Sequence, residues 1–323
     1  MKKSYKFFFH AEGFNNFNAG LLICILFIFT ALTLAAQETD KSVSASSELI
    51  LQISTLPEAK LGFSHSIRFT VLQGESALTQ GNNLKLNFTG EISPVSLNGI
   101  VRTVFTPVAF LEFQAGIRLG TGWNIVLFGS DVYGNGFNLE ANPGKADGKP
   151  FDALLWKAHF GGTFQFDYAA VAPGDWNHVV MQTYHEINYN GNTRAKNNEA
   201  WFFEADSGEN RNGFNYYGNL LIGYQMPIFL NTVAFLMEMD LYLYDTPGRS
   251  VWGDDMIRWK FSNVLIFTVT EKMDIALITQ FRTARNFTSF DWKEKHFTQR
   301  VLNTSNPYGF EFYRVAAAVT YKL

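Results

Sequence analysis

Residues 154–168 read LLWKAHFGGTFQFDY, and this stretch decides the fold class. Its even positions are apolar or small throughout, whereas its odd positions include Lys157, His159 and Asp167. A repeat of two residues places neighbouring side chains on opposite faces of a β-strand. The stretch therefore predicts a long strand with one apolar face and one polar face.

The same alternation recurs along the chain, in residues 61–71, 84–92, 111–119, 235–243 and 273–281. A soluble β-sandwich also alternates, so strand length and the chemistry of the polar face separate the two folds. These strands run to about ten residues, the length that a tilted strand needs to cross hydrocarbon. Their polar faces carry Arg, Lys, Glu and Asp, as the wall of a wet lumen does. The pattern predicts an all-β fold, a closed antiparallel transmembrane β-barrel.

Counting back from the C-terminus predicts about twelve strands, with ten to fourteen allowed, and single-chain bacterial barrels have an even number. The strands are placed near residues 48–55, 60–72, 83–92, 97–106, 109–120, 153–168, 176–189, 213–226, 231–244, 258–270, 272–285 and 308–323. The alternative is ten strands with residues 48–57 outside the wall, because the connection 73–82 is long where a short turn is expected. Trp201, Phe202 and Phe203 are expected to form a hairpin in an outer loop.

The connections between these strands alternate in length. Short ones lie at residues 106–107, 169–175, 227–232 and 270–272. Long polar ones lie at residues 124–152, 190–212, 245–257 and 286–307. Outer-membrane barrels keep short turns on the periplasmic side and long loops outside, so this alternation predicts the orientation of the barrel.

The N-terminus has the order of a secretory signal peptide. Lys2, Lys3 and Lys6 precede an apolar run over residues 21–34, which ends at small residues near Ala36. The run is shorter than the roughly 20 residues of a membrane-spanning helix. The alternative is a single N-terminal membrane anchor.

Three segments follow from this interpretation. They are a signal peptide over residues 1–36, a periplasmic segment over 37–47 and an outer-membrane barrel over 48–323. The predicted location is the bacterial outer membrane. Cys24 is the single cysteine and lies in the signal, so the mature chain forms no disulfide.

The composition excludes some classes of protein. Aromatic residues make up 16% of the chain and charged residues 17%, where a soluble domain carries roughly 25% charge. Without residues 1–36 the chain keeps 23 of 26 basic and 28 of 29 acidic residues, a formal charge of −5. A mildly acidic chain without basic clusters is not expected to bind nucleic acid.

The C-terminal strand is amphipathic up to the last residue. Tyr313, Val315, Val319, Tyr321 and Leu323 lie on one predicted face. We expect the barrel-assembly machinery to recognise this strand. Aromatic residues near strand ends are expected to form interfacial girdles; they are Trp156, Tyr168, Trp176, Tyr184, Tyr189, Tyr216, Tyr217, Tyr242, Tyr244 and Trp259.

Four stretches resemble a family of uncharacterised spirochaete outer-membrane proteins. They are residues 122–125, 173–178, 215–218 and 311–314, which read GWNI, PGDWNH, NYYG and EFYR. The resemblance extends over most of the mature chain and implies location and fold, but no substrate. A more distant likeness to fatty-acid transport barrels carries less weight, because this chain is shorter and has no obvious N-terminal plug.

The sequence contains no motif typical of a catalytic site, so no enzyme activity, cofactor or metal is predicted. His65 falls on an apolar face and His159 on a polar face, while His178 and His185 flank a predicted strand and His296 lies in an outer loop. A Ser–His pair assembled from separate strands is a minor alternative.

Asp254-Asp255 is a sharper candidate for chemistry. The pair could activate water or bind calcium through its carboxylates. The favoured interpretation is a solvated loop in which these acids pair with Arg258 or Arg249.

The charged side chains of the polar faces are the main functional candidates. They predict either a polar core closed by ion pairs or a water-filled selective channel. The predicted pore-lining residues are Arg68, Lys85, Glu91, Glu112, Arg118, Lys157, His159, Asp167, Glu238, Asp240, Lys260, Asp274, Arg282 and Arg314.

The predicted function is a narrow, porin-like passage for small solutes. The alternative is a structural or surface-interaction barrel whose outer loops contact a ligand or a host. A third hypothesis is binding without passage, with Trp201–Phe203 or residues 214–217 stacking against sugars or lipid tails. Membrane lipid, the assembly machinery and a small solute are the expected partners.

Overall fold

The computed structural model describes residues 42–56, 58–127, 130–138, 146–148, 150–196, 199–204, 209–243, 249–288 and 299–323. Seventeen strands lie in this described part of the chain, and twelve of them form one closed antiparallel barrel. The twelve wall strands are β1 (Val43–Ser54), β2 (Ala59–Thr70), β3 (Asn83–Ile92), β4 (Ser96–Val108), β5 (Leu111–Gly122), β10 (Leu155–Asp167), β11 (His178–Asn192), β13 (Gly213–Gln225), β14 (Leu230–Tyr242), β15 (Arg258–Thr270), β16 (Met273–Arg285) and β17 (Tyr308–Lys322).

The remaining elements are short and lie in the connections. They are β6 (Asn124–Leu127), β7 (Ser130–Tyr133), β8 (Asn135–Asn138), β9 (Ala146–Gly148), β12 (Trp201–Phe203), the one-turn helix α1 (Arg249–Trp252) and a 3-10 turn (Tyr168–Ala170). None of the helices in the described part of the chain is long and apolar enough to span a membrane, a finding about helices that does not bear on a β-barrel.

The first and last strands close the ring. β1 pairs with β17 in antiparallel register, so that Leu49 lies opposite Tyr321 and Leu51 opposite Val319. All wall strands pair with two neighbours, which leaves no open sheet edge. The predicted class, direction and number of strands are therefore confirmed, and the ten-strand alternative is wrong.

Some predicted boundaries differ from the observed ones. β1 begins at Val43, so residues 43–47 belong to the wall instead of the predicted N-terminal segment. Their alternation is weak because Ser44, Ser46 and Ser47 carry little hydrophobic signal. β4 continues to Val108, past the turn predicted at residues 106–107. The predicted signal peptide lies outside the described residues.

The two ends of the barrel have different connections. One end holds residues 71–82, 109–110, 168–177, 226–229 and 271–272. The other end holds all four long loops, at residues 123–154, 193–212, 243–257 and 286–307, together with the short turns 55–58 and 93–95. The rim at this loop-bearing end is therefore low beside β1 to β4 and high elsewhere.

Large apolar side chains project from the outer surface of the wall. Phe160 is 62% exposed, Ile187 55% and Phe310 64%, although all three lie within long strands. A continuous exposed apolar surface of this kind is unstable in water and matches the lipid-facing band of a membrane barrel. The inner face is correspondingly polar.

A β-bulge near the top of β17 changes the predicted C-terminal face. Gln280 pairs with Arg314, but Phe281 pairs with Phe312, so the register shifts at Tyr313. Phe310 and Phe312 consequently face outward, and Tyr313 lies under the guanidinium of Arg282 at 4.3 Å. Simple alternation cannot reveal such a shift, because an extra residue inverts every side chain beyond it.

Three of the predicted girdle residues face inward. The hydroxyl of Tyr184 donates to Glu186, that of Tyr217 donates to Glu238, and Tyr242 lies beneath the Arg258 guanidinium. Buried Tyr hydroxyls need hydrogen-bond partners, and carboxylates on the inner wall supply them. Tyr244 lies outside the described residues.

The outward and inward faces of β16 allow a direct test of the lipid-facing assignment. Leu277 is 40% exposed on the outer face, and the neighbouring Ala276 faces inward. Leu277→Lys is expected to destabilise the folded barrel by about 2–4 kcal/mol, the cost of a cationic side chain near the bilayer midplane. Ala276→Lys is expected to cost less, because its ammonium reaches a hydrated interior. Guanidinium unfolding in lipid vesicles measures both, and equal losses would contradict the assignment.

Candidate functional site

The strand register places all fourteen predicted pore-lining residues on the inner face of the wall. Residues that lie opposite each other on neighbouring strands show this. Lys85 lies beside Arg68, Arg118 beside Lys157, and Lys260 between Glu238 and Arg282. The outer face of the same strands carries the exposed apolar side chains. That these residues line a pore remains a prediction.

Ion pairs run along the inner wall. Lys157 Nζ lies 2.7 Å from Glu186 Oε1, and Arg282 Nε lies 2.7 Å from Glu311 Oε1. Looser pairs join Lys85 to Glu112 at 4.0 Å and Lys260 to Asp240 at 3.7 Å. Further pairs are Asp167–His178, Asp274–Lys322, Glu91–Lys60 and Arg314–Glu58.

The inner charges remain partly accessible to solvent. The side chains of Arg282 and Glu311 are 41% and 44% exposed, and that of Lys157 is 37% exposed. Arg102, in the middle of β4, is also exposed although it faces inward. The interior around these groups therefore admits water.

Cations and carboxylates lie on several strands around the ring. Glu186 on β11 and Glu238 and Asp240 on β14 carry negative charge. β2 lies six strands away from β13 in the ring of twelve. The cations Arg68, Lys85 and Arg102 lie on β2, β3 and β4. Several of these charges have an oppositely charged neighbour on a nearby strand, as the pairs Lys157–Glu186, Lys260–Asp240 and Lys85–Glu112 show.

The sequence interpretation missed several inward residues. Arg102 was missed because its inner neighbours on β4, Ile100 and Val104, are apolar and obscure the alternation. Glu186 was missed because β11 has polar residues on both faces, including the outward His185. Glu204 comes from a loop, where no repeating pattern exists to find it.

Glu204 reaches from the β11–β13 loop to the inner wall. Its Oε1 accepts hydrogen bonds from Ser96 Oγ at 2.8 Å, Asn98 Nδ2 at 2.9 Å and Arg118 Nη2 at 3.1 Å. Its Oε2 accepts one from Lys60 Nζ at 3.1 Å. These four donors lie on β2, β4 and β5, on the low side of the rim.

The backbone brings Glu204 to this position. β12 pairs with β8, which pairs with β9, in a small sheet above the wall. Trp201–Phe203 therefore lies in a loop and not in the wall, as predicted, but it pairs with β8 of another loop and makes only a single bridge, to Asn210, within its own. The sheet ends at Glu204, whose amide donates to Gly134 O at 2.7 Å. Phe203 packs so closely over Gly120 that a Cβ there would lie 2.9 Å from its ring.

Charge stabilises this contact. Burial alone would raise the pKa of Glu204, but the charges of Arg118 and Lys60 and the hydrogen bonds from Asn98 and Ser96 outweigh it and lower the pKa from 4.5 to about 2. Glu204 is therefore ionised at neutral pH, with every donor directed at a full negative charge.

A second contact holds the same loop on another side of the rim. Glu209 pairs with Arg285 at the end of β16, and Arg285 also donates to Trp252 O at 3.3 Å. Trp252 is 1% exposed, and the guanidinium of Arg211 lies 5.8 Å from its ring centroid. The loop thus has contacts with β2, β4 and β5 through Glu204 and with β16 through Glu209.

A Ser–His pair does form across two strands, which the sequence left as a minor alternative. Ser47 Oγ lies 2.8 Å from His65 Nδ1, on the outer face between β1 and β2. His65 is 3% exposed, and its Nε2 is buried with no hydrogen-bond partner among the described residues. A catalytic imidazole requires a substrate path and a third orienting group, so this geometry favours a structural pair.

The other histidines and the acidic pair are separate from one another. His178 pairs with Asp167, and His185 contacts Tyr216 on the outer face. Asp254 is 2% exposed whereas Asp255 is exposed, so the two carboxylates lie in different environments. No group of three or more His, Cys, Asp or Glu side chains suited to a metal occurs in the part of the chain that the structure describes. His296 lies outside that part.

The outer-loop aromatics are not free to stack against a ligand. Trp201 and Phe202 are 5% and 8% exposed. Trp201 packs with Ala153 and Leu155 in the small core beneath the loop sheet. Stacking of sugars or lipid tails on these two rings would require that core to open.

No family model matches the sequence, and no curated protein matches it. Among solved structures, it is similar to the NanC porin, with 8% identity, a TM-score of 0.40 and coverage of 86% of this chain and 100% of that one. It is also similar to the KdgM porin in complex with disordered oligogalacturonate (10% identity, 86% and 99% coverage, TM-score 0.34). A third is the β domain of the Bordetella autotransporter BrkA (10% identity, 87% and 99% coverage, TM-score 0.36). These values indicate no function for this chain.

The lowered pKa of Glu204 predicts an acid-sensitive loop contact. A carboxylate whose folded pKa is lowered stabilises the contact above its ordinary pKa of 4.5, and that stabilisation is lost as the pH falls towards about 2. Pepsin cleavage within residues 193–212 is expected to increase over this range. Glu204→Gln provides the control: the ratio of wild-type to variant cleavage should rise towards one near pH 2. A ratio that stays constant with pH would contradict the prediction.

Proposed function

We propose that this protein is an outer-membrane β-barrel that forms a narrow, water-filled passage for small solutes. The proposal includes export by a cleaved signal peptide and recognition of the C-terminal strand β17 by the assembly machinery. The apolar outer wall and the closed ring support the membrane location. In this orientation the loop-bearing end lies outside the cell.

The partial exposure of the inner charges is the observation that carries this proposal. A dry interior requires every ion to be paired and hydrogen-bonded, since an uncompensated buried charge costs several kcal/mol. Arg102 and Arg68 instead project into the interior as exposed cations. Hydration by a continuous column of water accounts for their charge.

The loop across the mouth limits the size of the solute. A barrel of twelve strands is intermediate between eight-stranded barrels filled by side chains and open porins of sixteen or more strands. The β11–β13 loop divides its outer mouth. We therefore expect small conductance and exclusion of large solutes.

A structural or surface-interaction barrel is the second candidate, and the bridged mouth is the observation in its favour. A loop held on two sides of the rim by Glu204 and Glu209 could serve as a fixed surface for a partner. Single-channel recording in planar bilayers separates the two. Discrete small openings are expected, and a folded protein that remains silent would support this second candidate and exclude conduction.

Arg102 provides the test of selectivity. Arg102→Glu reverses a charge in the interior and is expected to shift the reversal potential in a salt gradient by at least 10 mV, on the order of a twofold change in ion preference, towards cations. Lys272→Glu, in the exposed β15–β16 turn, makes the same change in charge outside the lumen and should have a smaller effect. Equal shifts would mean that Arg102 does not face the conduction path.

A further inference from the structure

The inner wall holds a carboxylate-binding site whose present occupant belongs to the chain itself. Lys60, Ser96, Asn98 and Arg118 lie on three strands, and their donor atoms converge on the two oxygens of Glu204 within 2.8–3.1 Å. Two of these donors are cations. Charge-assisted hydrogen bonds from several directions are the recognised way to bind a carboxylate.

The wall side of this site also has contacts that do not involve Glu204. Ser96 is 0% exposed and Asn98 is 3% exposed. The amide oxygen of Asn98 accepts from Arg118 Nε at 3.2 Å, which orients the guanidinium. Glu91, 3.6 Å from Lys60, neutralises one of the two cations. Removal of Glu204 would therefore leave a preformed site with one excess positive charge.

The occupant is held in place under backbone strain. Glu204 has a φ of +56°, a left-handed conformation that is uncommon for residues other than glycine. Glu204 belongs to a loop and not to a wall strand. The loop can retain its second contact, between Glu209 and Arg285, when Glu204 leaves the site.

A cavity beside Arg118 provides space for the rest of a ligand. Its volume is about 180 Å3, and its lining includes Lys157, Asn190, Trp201 and Phe203. This lining combines apolar surface with side-chain donors for hydroxyl or carbonyl oxygens. It suits a small solute that carries a carboxylate and a partly polar body.

We propose that Lys60, Ser96, Asn98 and Arg118 form a binding site for the carboxylate of a small organic anion, and that Glu204 occupies this site until a solute displaces it. The inference rests on the proposed passage, because a solute must enter from the loop-bearing mouth. It names the substrate class as small carboxylates. Displacement of the Glu204 side chain breaks the ion pairs that join the loop to Lys60 and Arg118.

The competition between Glu204 and a free carboxylate determines what can be measured. A tethered group acts at a high effective concentration, so acetate must be abundant to displace it. Removal of the side chain removes this competitor. Acetate should therefore bind a variant without Glu204 at least tenfold more tightly than it binds the wild type.

The experiment uses the full barrel in detergent with sodium acetate as the probe and acetamide as its uncharged counterpart. Tryptophan fluorescence reports binding, since Trp201 lines the adjoining cavity. Glu204→Gly is the principal variant because glycine accepts the local backbone conformation. Glu199→Gly is the matched control in the same loop, where Glu199 accepts a bond from the Lys196 amide.

We expect a saturable response of Glu204→Gly to acetate and none to acetamide. Addition of Arg118→Gln should abolish it, and Glu199→Gly should behave as the wild type. Absence of an acetate response in Glu204→Gly would overturn the carboxylate site. If circular dichroism shows that this variant does not fold, Glu204→Gln takes its place with the same two outcomes.

Conductance separates this inference from the proposed function. Acetate added on the loop-bearing side should increase the open probability of the wild type, and Glu204→Gly should already be open. Conduction without acetate binding would reject the site and retain the channel. Acetate binding by a silent barrel would reject the channel and retain the site.

Discussion

The need to satisfy backbone hydrogen bonds in hydrocarbon dominates this structure. Lipid offers no partner for a free amide or carbonyl, so a β-sheet is stable there only when its two edges join. The register between β1 and β17 achieves this, with Leu49 opposite Tyr321 and Leu51 opposite Val319. The same closure separates an outer from an inner face along each strand. The apolar face then lies on the outside, in contact with lipid.

The polar inner face follows from this closure and creates an electrostatic problem. Charges enclosed by twelve strands must be paired with one another or hydrated. The wall uses both solutions, as the close contact between Lys157 and Glu186 and the exposed Arg102 show. Arg68 and Arg102 remain exposed cations that face the interior. Exposed charges on the wall of a lumen are suited to selecting among small charged solutes.

The loops convert an open ring into a restricted one. The rim is low where the short turns 55–58 and 93–95 connect the strands. The β11–β13 loop descends on this side, where Glu204 meets Lys60 and Arg118, while its other contact reaches Arg285 on β16. A single segment therefore links distant parts of the ring through ion pairs. Its hold on the low rim depends on one ionised carboxylate.

The sequence by itself determined the barrel class, a strand number of about twelve, the inner position of thirteen charged residues and His159, and the end that bears the long loops. Those features depend on a two-residue repeat and on connection length, which are local properties of the chain. The bulge at Tyr313 and the inward rotation of Tyr184, Tyr217 and Tyr242 depend on cross-strand register. The contact of Glu204 with residues 86 to 144 positions away depends on the path of a loop through space. Only the tertiary structure decided these, because no periodic constraint links a loop carboxylate to the strands it meets.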